Sequence, residues 1–304
     1  MRLAHLLQVL PFLAALTLVI FLIFSSGLTF LQFHGMITAL STAHISAFVL
    51  LSFGMLLLSA IKWRLVMQNL SASSVPVPTN KASFLYTCFG AALGLVLMPH
   101  VAKPAGRAIG ARLHGAQPIV KTVAASAFEQ LFDLAVIAAF ACIGVALLAP
   151  AVTPVVVGLF VMGIIVALYL SKRPHLLPKK FHISELMTLV RDPIGLRLVS
   201  ISLMMYVMTA LRTGVIAIPM GISLLPLDFL GSFSIVQLSR LIAITPMELG
   251  IVDWTWAGVL SLFELPLSLA AGFVLVNRGL NALSILAALA LSFVLVATER
   301  RTAT

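Results

Sequence analysis

The chain has 304 residues, of which 61% are hydrophobic and 9% charged, with a mean hydropathy of +1.15 and a net charge of +10. Soluble domains carry about 25% charged residues, so this chain cannot cover itself with a hydrated surface, and at ~20 residues per spanning helix no room remains for a soluble catalytic domain. Collagen-like, disordered and disulfide-built proteins are excluded as well; the basic excess reads as membrane topology rather than nucleic-acid binding, and Cys88 and Cys142, both in apolar runs, read as small buried residues.

No Asp, Glu, Lys or Arg stands between Arg2 and Lys62, a stretch that holds two predicted spans, Leu6–Phe24 and Ala43–Ile61. Arg2 ahead of an apolar run resembles a signal segment, but no small-x-small site ends the run and it is long enough to cross, so it is read as a span. Phe84–Met98 is broken at Pro99 and followed by basic residues Lys103, Arg107 and Arg112. Val120–Leu148 is a long apolar helix carrying Glu129 and Asp133; Val155–Leu170 returns, and a basic loop covers 172–197 with Lys179, Lys180 and Arg191. Leu198–Ile218 contains Arg212. Phe229–Ile244, with Arg240, is broken at Pro246 and Gly250, and Trp254–Phe263 is too short to cross. Ser268–Ala297 is the last span and contains Arg278 and Asn281.

Lys and Arg concentrate in cytoplasmic loops. If 84–115 and 229–263 are re-entrant helical hairpins, six full spans remain and both termini face the cytoplasm. Every basic residue except Arg212, Arg240 and Arg278 then falls on the cytoplasmic side or in the hairpin entering from it; counting hairpin arms as spans scatters them. The expected fold is a single all-α polytopic membrane domain over 1–304. Each hairpin precedes a span, and the two enter from opposite sides, which is the pattern of an inverted-topology repeat around a midplane site.

Charges inside a bilayer cost at least ~2.5–3.5 kcal/mol each and should face an interior. Ser126, Glu129, Gln130 and Asp133 fall on one helix face, as do Asn277, Arg278, Asn281 and Ser284. Ser234, Gln237 and Arg240 form a third polar face, and Thr209, Arg212 and Thr213 a fourth. In the bland reading these are structural ion pairs, because Arg107, Arg212, Arg240 and Arg278 balance Glu129, Asp133, Glu248 and Asp253. In the functional one they line a transport path, since intramembrane charges mark such paths. At Pro99 and Pro246 proline removes a backbone donor and ends a helix. Broken backbone at membrane depth survives only in protein or around water, where a half-helix N-terminus suits an anion. Gly90-x-x-x-Gly94 and Gly106-x-x-x-Gly110 permit close helix approach, Trp254 and Trp256 suit an interfacial belt, and no His spacing suggests a metal.

Three stretches carry a family resemblance. They are Met98-Pro99 through Arg107, Ser126-Ala-Phe-Glu129-Gln-Leu-Phe-Asp133, and Ile244-Thr-Pro-Met-Glu-Leu-Gly250-Ile-Val-Asp253, with Arg278 on the last helix. Together, over about 45–297, they resemble the membrane domain of lysylphosphatidylglycerol synthases and their stand-alone flippase-like relatives. Gln130 stands where that family has Arg, Pro104 where it has an acid, and Asp253 where it has Glu. His100, Lys103, Met247 and Glu248 stand where it has glycine.

The resemblance implies a bacterial inner-membrane protein that moves a phospholipid or lipid-linked headgroup between leaflets, without the aminoacyl-transfer domain. In that reading the chain is not an enzyme and uses no cofactor. An anionic phosphate would meet the hairpin N-termini and Arg107 or Arg278, and Glu129 and Asp133 would offer a protonatable pair. A second reading is a non-catalytic accessory subunit whose partner is a lipid-modifying enzyme or a glycosyltransferase of a polysaccharide or hopanoid pathway. A membrane enzyme is disfavoured because no phosphotransferase, phosphatase or nucleophile constellation is present.

Overall fold

A computed structural model describes residues 2–70, 77–113, 119–172, 193–243 and 245–302. Among them the fold is all-α. Helix α1 is Arg2–Ser26, α2 Phe30–Thr38, α3 Thr42–Leu70, α4 Asn80–Leu93, α5 Pro99–Leu113, α6 Ile119–Leu148 and α7 Thr153–Lys172. They are followed by α8 Pro193–Ala217, α9 Pro226–Ile242, α10 Ile251–Ser261 and α11 Leu267–Thr302. A helix overlies each of the six predicted spans, yet among the described residues only α3, α6, α8 and α11 are by themselves long and apolar enough to cross a membrane. A fifth is gained if α1 and α2, bent by 97° around Gly27, count as one broken span. The expected count of six is thus corrected to four or five. Gly27 at φ +62 turns the first segment aside, and in α7 only the shorter Thr153–Gly163 stretch qualifies among the described residues. The basic loop with Lys179, Lys180 and Arg191 lies outside the described residues, as does the end of the first predicted hairpin beyond Leu113.

Both predicted breaks are present. Helix α4 stops at Leu93, and the chain turns through Gly94–Met98 before Pro99 opens α5, a position where proline's missing N–H costs nothing. The two arms run antiparallel and touch backbone to backbone. A Cβ on Gly106 would lie 2.6 Å from the Gly90 nitrogen, and one on Gly110 would overlap the Tyr86 ring. The small-residue spacing here is therefore a crossing point. Helix α9 likewise ends at Ile242, and α10 starts after a strained turn in which Met247, Glu248 and Gly250 all have positive φ.

The halves share an order of long helix, broken pair, long helix, as α3–α4/α5–α6 and α8–α9/α10–α11. Glycines allow close packing elsewhere too, since Gly144 of α6 lies against the Gly231 backbone of α9. The main apolar core gathers Phe48, Tyr206, Phe233, Trp256 and Phe273. Trp256 is 3% exposed and sits edge-on to Phe273, so it belongs to the core and not to an interfacial belt. Trp254, two residues away on another helix face, stacks on Phe21 and donates to the Leu18 carbonyl. The outer surface is apolar, with Phe24, Leu31, Leu50 and Leu196 all at least 70% exposed. Cys88 and Cys142 are free thiols.

Candidate functional site

The polar faces of the separate helices meet around one half-open cavity of about 610 Å³, placed between the two helix breaks. Its wall takes residues from α3 (Ser52, Ser59), the first break and α5 (Gly94, Pro99, His100, Lys103) and α6 (Gln130, Asp133). The rest comes from α8 (Ser202, Thr209, Arg212), α9 (Gln237, Arg240), the second break (Met247, Glu248), α10 (Asp253, Trp256) and α11 (Asn277, Arg278, Asn281). The two breaks meet each other, because His100 Nε2 donates to the Arg240 carbonyl at 3.0 Å.

Beneath the first break lies a cluster of three cations and two acids. Arg107, fully buried, donates to Glu129 Oε1, to the Ser59 carbonyl (2.9 Å) and hydroxyl (3.0 Å), and to Thr87 Oγ1 (3.2 Å). Its guanidinium stands over the Trp63 ring at 5.3 Å. Lys103 reaches Glu129 at 2.9 Å and Asp133 at 3.9 Å. Lys62, also fully buried, bonds Asp133 (2.5 Å) and Ser202 (3.0 Å). The stripe on α6 therefore does what its spacing promises, with Glu129 and Asp133 one turn apart receiving cations from two other helices.

At the second break, Asp253 and Arg278 hold the turn. Asp253 Oδ2 accepts from the Gly250 N–H at 2.8 Å, capping α10, while its Oδ1 accepts from Arg278 Nε at 2.6 Å. The other arms of Arg278 donate to the carbonyls of Met247 (2.7 Å) and Glu248 (3.2 Å). Arg240 faces Glu248 at 3.3 Å. One free N–H at the start of α10 thus already has an anion, supplied by the protein itself. Pro246 opens the short helical turn of this break and Gly250 closes it, the latter packed against Leu18.

Of the sequence-predicted site residues, Pro99, Asp133, Arg240, Asp253, Arg278 and Asn281 face the cavity. Arg107 and Glu129 lie behind its wall, and Gly250 shapes the turn. Asn281 Oδ1 accepts from Arg212 at 2.8 Å, joining α11 to α8, and Tyr206 and Ser234 join α8 to α9 at 2.6 Å.

Sequence reasoning misses Lys62 and Lys103 as interior charges. Lys62 reads in the sequence as the cytoplasmic end of a span, because a cation ends the apolar run there; the helix instead continues to Leu70 and carries it inward. With both lysines included, the four-against-four balance becomes six cations against four acids, a net of two positive charges around the cavity. Among the described residues no three His, Cys, Asp or Glu side chains converge as metal ligands.

The arrangement defines an all-α protein with long apolar helices around a polar, cationic interior. No family model, no curated protein and no solved structure matches the chain.

Proposed function

We propose that this chain is a multi-pass membrane protein that moves an anionic lipid, a phospholipid or lipid-linked headgroup, between the leaflets of a bacterial cytoplasmic membrane, leaving it chemically unchanged. The observation that carries the reading is the cavity itself. Its volume is that of a small-molecule site, roughly 300–1,000 Å³, which suits a headgroup and excludes two acyl chains. Its net positive charge favours an anion. One rim is apolar and open: Ala127, Leu131 and Leu134, at i, i+4 and i+7 on α6, line the cavity and are exposed as well, Leu131 by 50%. A headgroup inside with tails left outside fits that rim.

Two further observations support it. Irregular backbone and buried charge sit together where both breaks meet, the setting of transporter sites near a midplane. The resemblance to the flippase-like family gains weight at Met247 and Glu248. The family pattern has glycine at both, and both take a positive φ (52° and 60°) that glycine favours. In this reading the broken pairs are re-entrant hairpins, the halves form an inverted repeat, and both termini face the cytoplasm.

The test is leaflet exchange of fluorescent phosphatidylglycerol and phosphatidylcholine in proteoliposomes. The protein should accelerate exchange over empty vesicles, and Ala127→Trp, which plugs the exposed rim without entering the core, should cut the acceleration at least about tenfold. Absence of exchange by folded wild type would defeat the transport reading in favour of an accessory subunit. Undiminished exchange by Ala127→Trp would place the path elsewhere.

A further inference from the structure

Six cations stand around the cavity, and five of them have a carboxylate partner. Lys62 pairs with Asp133, Lys103 and Arg107 with Glu129, Arg240 with Glu248 and Arg278 with Asp253. Arg212 alone among the described cavity cations has none. It is 3% exposed, near the C-terminal end of α8, and lines the cavity. Arginine carries five N–H donors, and here only Nη1 is engaged, donating to Asn281 Oδ1 at 2.8 Å and to the Ser52 hydroxyl at 3.4 Å. Nε is buried without a partner, and the charge rests over the Phe48 ring at 5.0 Å. A buried charge without a counter-charge costs far more than a paired one, and an aromatic face offsets only part of that. Nearby polar atoms are also unfilled, the Gln130 amide nitrogen and the Asn277 amide oxygen among them.

We infer that Arg212, with Ser52 and Asn281, is the oxyanion subsite of the cavity, and that its ligand is the phosphoryl group of a membrane lipid. The cation supplies charge and a planar fork suited to two phosphate oxygens, while the hydroxyl and amide fix its plane from α3 and α11. Arg107 and Arg278 cannot serve in this way without abandoning acids and carbonyls that they already hold. The lipid source rests on the transport reading above and on the apolar rim of α6; the oxyanion subsite rests on Arg212.

Isothermal titration calorimetry in detergent tests both parts, with dihexanoyl-phosphatidylglycerol, inorganic phosphate and dihexanoylglycerol as probes. Wild type should bind the phospholipid and, more weakly, inorganic phosphate. Arg212→Gln should weaken both at least about tenfold while dihexanoylglycerol, which meets only the apolar rim, binds as before and reports an intact cavity. Arg212→Lys should fall between them. Should Arg212→Gln fail to fold, Ser52→Ala, which removes one hydroxyl, should still weaken phospholipid about threefold. Equal phospholipid affinity in wild type and folded Arg212→Gln would overturn the subsite, as would wild type binding neither phosphate probe. Binding of inorganic phosphate alone would overturn the lipid source. Tight, Arg212-dependent phospholipid binding without leaflet exchange would remove the transport reading and leave the subsite standing.

Discussion

The two broken helix pairs use the same kind of clip with the charges exchanged. In the first, the cation is on the hairpin arm (Arg107, α5) and the acid on the following long helix (Glu129, α6). In the second, the acid is on the arm (Asp253, α10) and the cation on the following helix (Arg278, α11). Each clip ties a short, broken element to the long helix that follows it. They differ in what else they hold. The first is fully buried, and it is reinforced by backbone contact at Gly90 and Gly106. The second is partly open to the cavity and holds a turn of three positive-φ residues. Stability is concentrated in the first pair and strain in the second, which makes the second the better candidate for an element that moves.

Breaking the first clip should have the largest effect. Glu129→Ala leaves Arg107 and Lys103 without their shared carboxylate in a buried site, and removing one partner of such a pair costs about 3–5 kcal/mol. The thermal midpoint of the purified protein should fall sharply, and more than for Asp253→Ala, because Arg107 is fully buried whereas Arg278 is partly exposed. Equal losses from the two changes would mean that the clips are equivalent and the asymmetry is without consequence.

Next in size is the steric contact that only the first pair possesses. Gly106→Val places a branched side chain against the Gly90 backbone, which has no flexible end to yield. Overpacking of this kind costs about 1–3 kcal/mol. Helix α5 would have to slide outward, carrying Lys103 and Arg107 with it, so lost stability should come with lost protection from hydrogen exchange across both arms. A Gly106→Val protein as stable as wild type would show that the arms do not touch as described.

Much of this arrangement is legible in the amino-acid sequence. The periodicity of α6 announces that Glu129 and Asp133 need cations from elsewhere, and Pro99 and Pro246 mark both breaks. What escapes is depth. A sequence cannot show that α3 runs on past Lys62, because a lysine that ends an apolar run and a lysine carried into a polar interior look alike until the partner helix is placed. Trp256 escapes for a similar reason. Tryptophan pairs suggest an interface by composition, but residues two apart on a helix point in different directions, and only Trp254 turns outward toward α1. The net charge around the cavity is hidden with the lysines, since four-against-four neutrality leaves both of them out.

The smallest effect, and the sharpest on the second break, comes from its strained backbone. Met247 and Glu248 both lie in the left-handed region, and Arg278 donates to the carbonyl of each. A left-handed non-glycine residue costs about 1–2 kcal/mol, and the Arg278 bonds are placed to offset that cost. Met247→Gly should therefore stabilise the protein by about 1 kcal/mol or slightly less, since glycine also loses more freedom on folding. Arg278→Lys should destabilise it by about 1–2 kcal/mol through the lost carbonyl bonds. The double variant decides whether the two are linked. If Arg278 holds the turn against its strain, Met247→Gly should recover less stability in the Arg278→Lys background than in wild type, because the released turn has already relaxed, an interaction energy of about 0.5 kcal/mol or more. Strict additivity would mean that the turn keeps its shape without the arginine, leaving the arginine's pairing with Asp253 as its whole contribution.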